Sequence, residues 1–145
     1  MWSAARHLTA IVARLQNITM KDPMAPAAIS PIQSAARCAE SLQRLRAARL
    51  IRLDDVEAEA VAAALDGIAA HAVELFGSRT DPVGRGGDID LLILSDAPPF
   101  ETARRVSSRF FSMCEERIDV VLLDPDNLTP AEAAFLHSLH RVRIA

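Results

Sequence analysis

From Asp54 onward the spacing of apolar residues changes period repeatedly, and each change marks an element. Val56, Val61, Ala64, Leu65 and Ile68 recur at helical spacing, and Asp54 with Glu57 has the spacing of a capping box at the start of that helix. Ala72–Phe76 is too short for a helix and is predicted as a strand, as is the apolar run Asp88–Leu94. Pro98 and Pro99 introduce a second helical pattern through Phe100, Ala103, Val106, Phe110 and Met113. Arg117–Leu123 is a third strand. Thr129 and Glu132 form a second capping box around Pro130, a residue suited to the first helical position, and open a helix to about His140. Arg141–Ile144 alternates basic and apolar residues, which suits a final edge strand. The order helix, strand, strand, helix, strand, helix, strand predicts a small α/β (α+β) fold, a mixed β-sheet flanked by helices.

The first part of the chain has a different pattern. Leu8, Ile11, Val12, Leu15 and Ile18 make a helical stripe over residues 2–18, and the prolines at 23, 26 and 31 predict a linker over 20–30. Ser30 and Pro31 have the form of an N-cap and first helical residue, predicting a helix to about Arg49 with Ile32, Ala35, Ala39, Leu42 and Leu45 on its apolar side. Charge divides at the same place. Residues 1–52 carry eight basic residues against two acids, a net +6, and the remainder carries eight against 17, a net −9, within the overall −3. A basic helical extension (1–49) and a globular domain (50–145) are therefore expected.

Composition narrows the class. No apolar run reaches the roughly 18 residues that cross a bilayer, so no membrane partner is expected. Cys38 and Cys114 lack metal-ligand spacing and read as reduced thiols of a cytoplasmic protein. With lysine only at position 21 and abundant alanine, the composition suggests a GC-rich bacterial gene. The basic N-terminal stripe reads as an ordinary helix in preference to a targeting peptide. Direct nucleic-acid binding is disfavoured, because the globular part is acidic and the basic helix has no interleaved aromatics.

The candidate chemistry lies in Phe76–Leu94, FGSRTDPVGRGGDIDLLIL, which holds four of the chain's five glycines. Gly77 and Ser78 follow a strand, where backbone N–H groups and a hydroxyl can cradle a phosphate. Asp88 and Asp90, two residues apart at the start of the next strand, point to one face and repel each other unless a cation sits between them. Mg²⁺ suits one or two carboxylates plus phosphate oxygens. Asp119 lies in the apolar run RIDVVLL and joins the other two acids if its strand is their neighbour; an unpaired carboxylate buried there would be costly. Arg79 or Arg85 could hold phosphates through a guanidinium fork.

These residues together resemble the signature of the DNA polymerase β nucleotidyltransferase superfamily: Gly-Ser after a strand, then Asp-x-Asp, then an Asp on a later strand. The size is similar to that of the minimal nucleotidyltransferases, many of which act as antitoxins beside a HEPN-domain toxin ribonuclease and transfer AMP from ATP to a toxin tyrosine. The resemblance covers about Leu50–Ala145. It implies that Gly77, Ser78 and Arg79 bind the nucleotide, that Asp88, Asp90 and Asp119 are catalytic and hold two Mg²⁺ ions, and that the substrate is ATP or another nucleoside triphosphate. Nine residues, Arg79–Gly87, separate Gly-Ser from the first Asp, one fewer than is usual in that branch. The acceptor would be a protein, which supplies its own docking surface unless a homo-oligomer completes the pocket. With no tyrosine in the chain, a tyrosine acceptor must belong to another molecule. Two other functions fit the same residues: a non-catalytic module that neutralises its partner by occlusion, and a small-molecule nucleotidyltransferase of the aminoglycoside type.

Overall fold

The computed structural model describes residues 30–145, so the stripe expected over 2–18 and the linker expected over 20–30, Ser30 apart, lie outside the described residues. The described residues form four α-helices and four strands: α1 (Ala35–Ala47), α2 (Asp55–Leu65), β1 (Ala72–Phe76), β2 (Ile89–Leu94), α3 (Pro99–Phe111), β3 (Ile118–Leu123), α4 (Pro130–Ser138) and β4 (Arg141–Arg143). A single 3₁₀ turn, Gly77–Thr80, follows β1. The sheet order is β3-β2-β1-β4, with β2 and β3 parallel and the other pairs antiparallel. The parallel pair needs a crossover, which α3 supplies. This is the mixed, helix-flanked sheet that the sequence pattern predicts.

Both capping boxes form. The Asp54 carboxylate accepts the Glu57 N–H at 2.8 Å, and Glu57 Oε2 accepts the Asp54 N–H at 2.8 Å. At α4 the Thr129 hydroxyl accepts from Glu132 N–H at 3.2 Å, while Glu132 Oε2 accepts from Thr129 N–H at 2.8 Å. Each box satisfies two backbone donors that the helix itself leaves without acceptors.

Alternation along the strands divides the sheet into two faces. Val73, Leu75, Ile89, Leu91 and Ile93 face one way and are buried with Cys38 and Leu42 of α1, Val61, Ala64 and Leu65 of α2, and Val106 and Phe110 of α3. Removing each of the larger side chains from water contributes about 1.5–3 kcal/mol. On the other face Phe76, Leu92 and Leu123 form a smaller cluster, partly covered by Leu136 of α4 and by Leu139. The Phe135 ring meets Phe76 edge-on, with centroids 5.9 Å apart. The second face is the more thinly covered: no residue of α4 is fully buried.

Three local expectations are revised. The helix expected from Ser30–Pro31 starts instead at Ala35, with Ser34 at the N-cap. Ser30 is buried, its hydroxyl donating to Asp96 Oδ1 at 3.0 Å and lying 3.1 Å from His71 Nε2. Ile32 bridges to Ala69, and the Gln33 N–H donates to the Ile68 carbonyl at 2.9 Å. Long-range backbone pairing therefore holds 31–33 extended, against a local signal for a helix start. Second, Val61, Ala64, Leu65 and Ile68, and Val106 and Phe110 of α3, are buried as expected, but the outer positions of the two stripes are not. Val56, Phe100 and Met113 are exposed, and the buried residues of α3 are Thr102, Val106 and Phe110. Third, the charge division near residue 50 falls between two helices of one core, since Cys38 and Leu42 are buried in the same cluster as α2. Among the described residues no helix is long and apolar enough to cross a membrane.

Candidate functional site

One row of residues crosses the sheet at the end where β2 and β3 begin. Asp119 of β3 is the register partner of Asp90 of β2, Asp90 is that of Phe76 of β1, and Phe76 is that of Arg141 of β4. Register partners on adjacent strands share a face and stand about 5 Å apart. The parallel pairing thus places two carboxylates side by side, with Asp88 two residues before Asp90. Asp90 is half-buried, and its carboxyl is held above the usual carboxylate range. Burial is the main cause, followed by the charges of Asp119 and Asp88. Asp88 and Asp119 thus lie near enough to Asp90 for their charges to act on it.

The glycine loop packs onto this patch. Gly77 has φ +73° and Gly87 φ +85°, conformations that favour glycine. Space imposes the same choice. A Cβ at Gly77 would overlap the Asp90 carboxylate, and a Cβ at Gly87 would overlap the Ser78 hydroxyl. The 3₁₀ turn therefore sits directly against Asp90, and the end of the loop sits against Ser78. Of the residues predicted from sequence, the fold brings together Gly77, Ser78, Asp88, Asp90 and Asp119.

Two expectations change here. Asp119 is exposed, so the cost of burying it does not arise; its strand is at the edge of the sheet, and the open side leaves it facing solvent. Arg79 is not placed as a phosphate ligand. Its side chain is buried and bidentate with Glu57, Nη1 to Oε2 and Nη2 to Oε1 at 2.9 Å each. Its Nη1 also donates to the Arg52 carbonyl at 3.2 Å and its Nε to the Gly87 carbonyl at 3.0 Å. Four of its five donor directions are thus committed within the protein. Arg79 ties the far end of the glycine loop to the N-terminus of α2.

Sequence reasoning missed two partners in this arrangement. Glu57 closes the cap of α2 and holds Arg79 with the same carboxylate. Arg52 straps the loop from outside, donating to the carbonyls of Asp81 at 3.1 Å, Ser78 at 3.2 Å and Gly86 at 2.8 Å. No local spacing relates Arg52 or Glu57 to a loop more than twenty residues later. A further contact comes from His140, whose Nδ1 lies 3.1 Å from the Thr80 hydroxyl, which donates to the Gly77 carbonyl at 2.7 Å. This places an imidazole beside the loop.

Among the described residues no three His, Cys, Asp or Glu side chains are gathered closely enough to enclose an ion by themselves. Mg²⁺ does not require such a cage, because it keeps water and takes phosphate oxygens alongside one or two carboxylates. Asp88 and Asp90 fit that donor set, and their mutual repulsion is the property a cation relieves.

No family model matches the chain, and no curated protein matches it.

Proposed function

We propose that this protein is a Mg²⁺-dependent nucleotidyltransferase that transfers a nucleoside monophosphate, AMP from ATP, to a hydroxyl of a protein acceptor. The observation that carries this reading is the register pairing of Asp90 with Asp119, beside Asp88 and against a turn whose Gly77 has no room for a Cβ. The acceptor oxygen attacks the α-phosphorus; the new P–O bond forms as the bond to the bridging oxygen breaks, and pyrophosphate leaves. Exposed Asp119 takes the hydroxyl proton or passes it to water. Ser78 and the backbone N–H groups of the turn orient the triphosphate, and Arg52 with Arg79 keeps the turn in shape. Mg²⁺, held by Asp88 and Asp90, would offset charge on the phosphates and make the hydroxyl more acidic. Resemblance to the minimal nucleotidyltransferases supports a HEPN-domain toxin as acceptor, encoded by the adjacent reading frame.

The open arrangement of the carboxylates favours a second reading, a non-catalytic module that silences its partner by occlusion. The two are separated by Asp88→Asn/Asp90→Asn. Transfer predicts that the double variant still binds the partner but no longer protects cells from it. Full protection by that variant would refute catalysis as the protective activity.

A further inference from the structure

At the opposite end of the sheet from the acids, a groove of about 320 Å³ opens between α1, β4 and the start of β1. Ser34, Arg37, Ser41 and Arg44 form one of its sides, at the i, i+3, i+7, i+10 spacing of a single helix face. His71 and Arg143 contribute the other side. The His71 N–H donates to the carbonyl of Leu94, the last residue of β2, at 2.8 Å. The groove is therefore about 17 Å along β1 from the row of Asp90, at about 3.4 Å per residue.

The lining contains three arginines and no aspartate or glutamate side chain. Three arginines outside the groove have carboxylate partners: Arg46 with Asp55 and Arg141 with Glu74, both at 2.7 Å, and Arg79 with Glu57 at 2.9 Å. Among the described residues Arg37 and Arg44 have none within ion-pair distance. Arg143 donates to the His71 carbonyl at 3.1 Å and, at 3.2 Å, to an oxygen of the Ala145 carboxylate, the one anionic group of the lining. The groove also includes the positive end of α1. There Asp66 Oδ1 accepts the Ala35 N–H at 3.0 Å, and the Ser34 hydroxyl makes no cap bond. Three guanidinium groups against one carboxylate leave the concavity with net positive charge, which a bound anion relieves. Their planar forks match phosphate oxygens. A solvated arginine face on one helix would not require Arg143 from a strand to complete it.

We propose that this groove is a second, metal-independent binding site for a small polyphosphate anion, separate from the acidic row. The test is titration calorimetry of the full chain with inorganic tripolyphosphate in EDTA, which removes any contribution from divalent ions. The expected result is one site per chain whose affinity falls as salt is raised. Arg37→Ala/Arg44→Ala should weaken it by about tenfold or more, since each charged hydrogen bond lost is strong, with an unchanged circular dichroism spectrum. Asp88→Asn/Asp90→Asn should bind as the wild type does, so the outcome is independent of nucleotidyl transfer. Absence of binding by the wild type, or equal binding by the arginine variant, would overturn the proposal. So would a short single-stranded RNA that binds with this arginine dependence while tripolyphosphate does not.

Discussion

Replacing Glu57 by glutamine tests how the glycine loop is held. The Arg79 and Glu57 side chains are only 5% and 8% exposed, and the two share a bidentate pair. Removing one charge of a buried pair leaves the other without compensation and costs about 3–5 kcal/mol. Glutamine preserves the shape and can still accept the Asp54 N–H, so the loss should lie near the lower end, about 3 kcal/mol. Glu116, 3.8 Å from Arg79 and itself partly exposed, offers weak compensation. Glu57→Ala also removes the capping box, which adds about 1 kcal/mol. For a chain of this length a loss of about 3 kcal/mol lowers Tm by about 10 °C. Asp55→Asn is the control: Arg46–Asp55 is shorter, but the Asp55 side chain is 93% exposed, so its removal should cost about 0.5 kcal/mol or less. Urea unfolding followed by far-UV circular dichroism measures all three; the only tryptophan is Trp2, outside the described residues. Glu57→Leu/Arg79→Met should recover much of the loss, because a well-packed apolar pair can replace a buried ion pair. If Glu57→Gln lost no more stability than Asp55→Asn, the pair would not be the anchor described here.

Other expectations concern the acids, the glycines and the cysteines. The raised Asp90 pKa means that the folded state holds this proton more tightly than the unfolded chain, so its contribution to stability is present at low pH and is lost as pH rises through the folded pKa. Asp90→Asn should therefore raise Tm at neutral pH, with the gain fading in acid; Mg²⁺ should raise the Tm of the wild type more than that of the variant. Gly87→Ala combines positive φ with overlap of the Ser78 hydroxyl, whereas Gly86→Ala has φ +61° and open space. Chemical denaturation should show Gly86→Ala losing about 1 kcal/mol and Gly87→Ala distinctly more, up to about 3 kcal/mol. Burial pushes the Cys38 thiol up to about 11. At pH 8 a thiol reagent followed by mass spectrometry should modify half-buried Cys114 first, and Cys38 only on unfolding.

Legibility in the sequence followed the range of the interactions. Asp54–Glu57 and Thr129–Glu132 are three residues apart, so both caps were readable, as was the alternation that sets the strands. The order of strands was not readable, yet it is what seats Asp119 beside Asp90. Ser30–Pro31 carried a sound local signal for a helix start and lost to backbone pairing with Ile68–Ala70, nearly forty residues away. Arg79 was recognisable as a cation near the loop, but its fate depended on Glu57, which in sequence looks only like a cap. Exposure of Asp119 followed from its strand lying at the sheet edge, a tertiary fact with no counterpart in the pattern RIDVVLL.

The central claim is transfer of a nucleotide through Asp88, Asp90 and Asp119. Its most direct measurement is incubation of the protein with Mg²⁺, the folded product of the adjacent reading frame, and ATP labelled at either the α- or the γ-phosphate. The account predicts label on that acceptor from α-labelled ATP alone, released pyrophosphate in equal amount, and loss of both with Asp88→Asn/Asp90→Asn. Label arriving from the γ-phosphate, or no transfer by the wild-type protein to a folded acceptor that it binds, would contradict it.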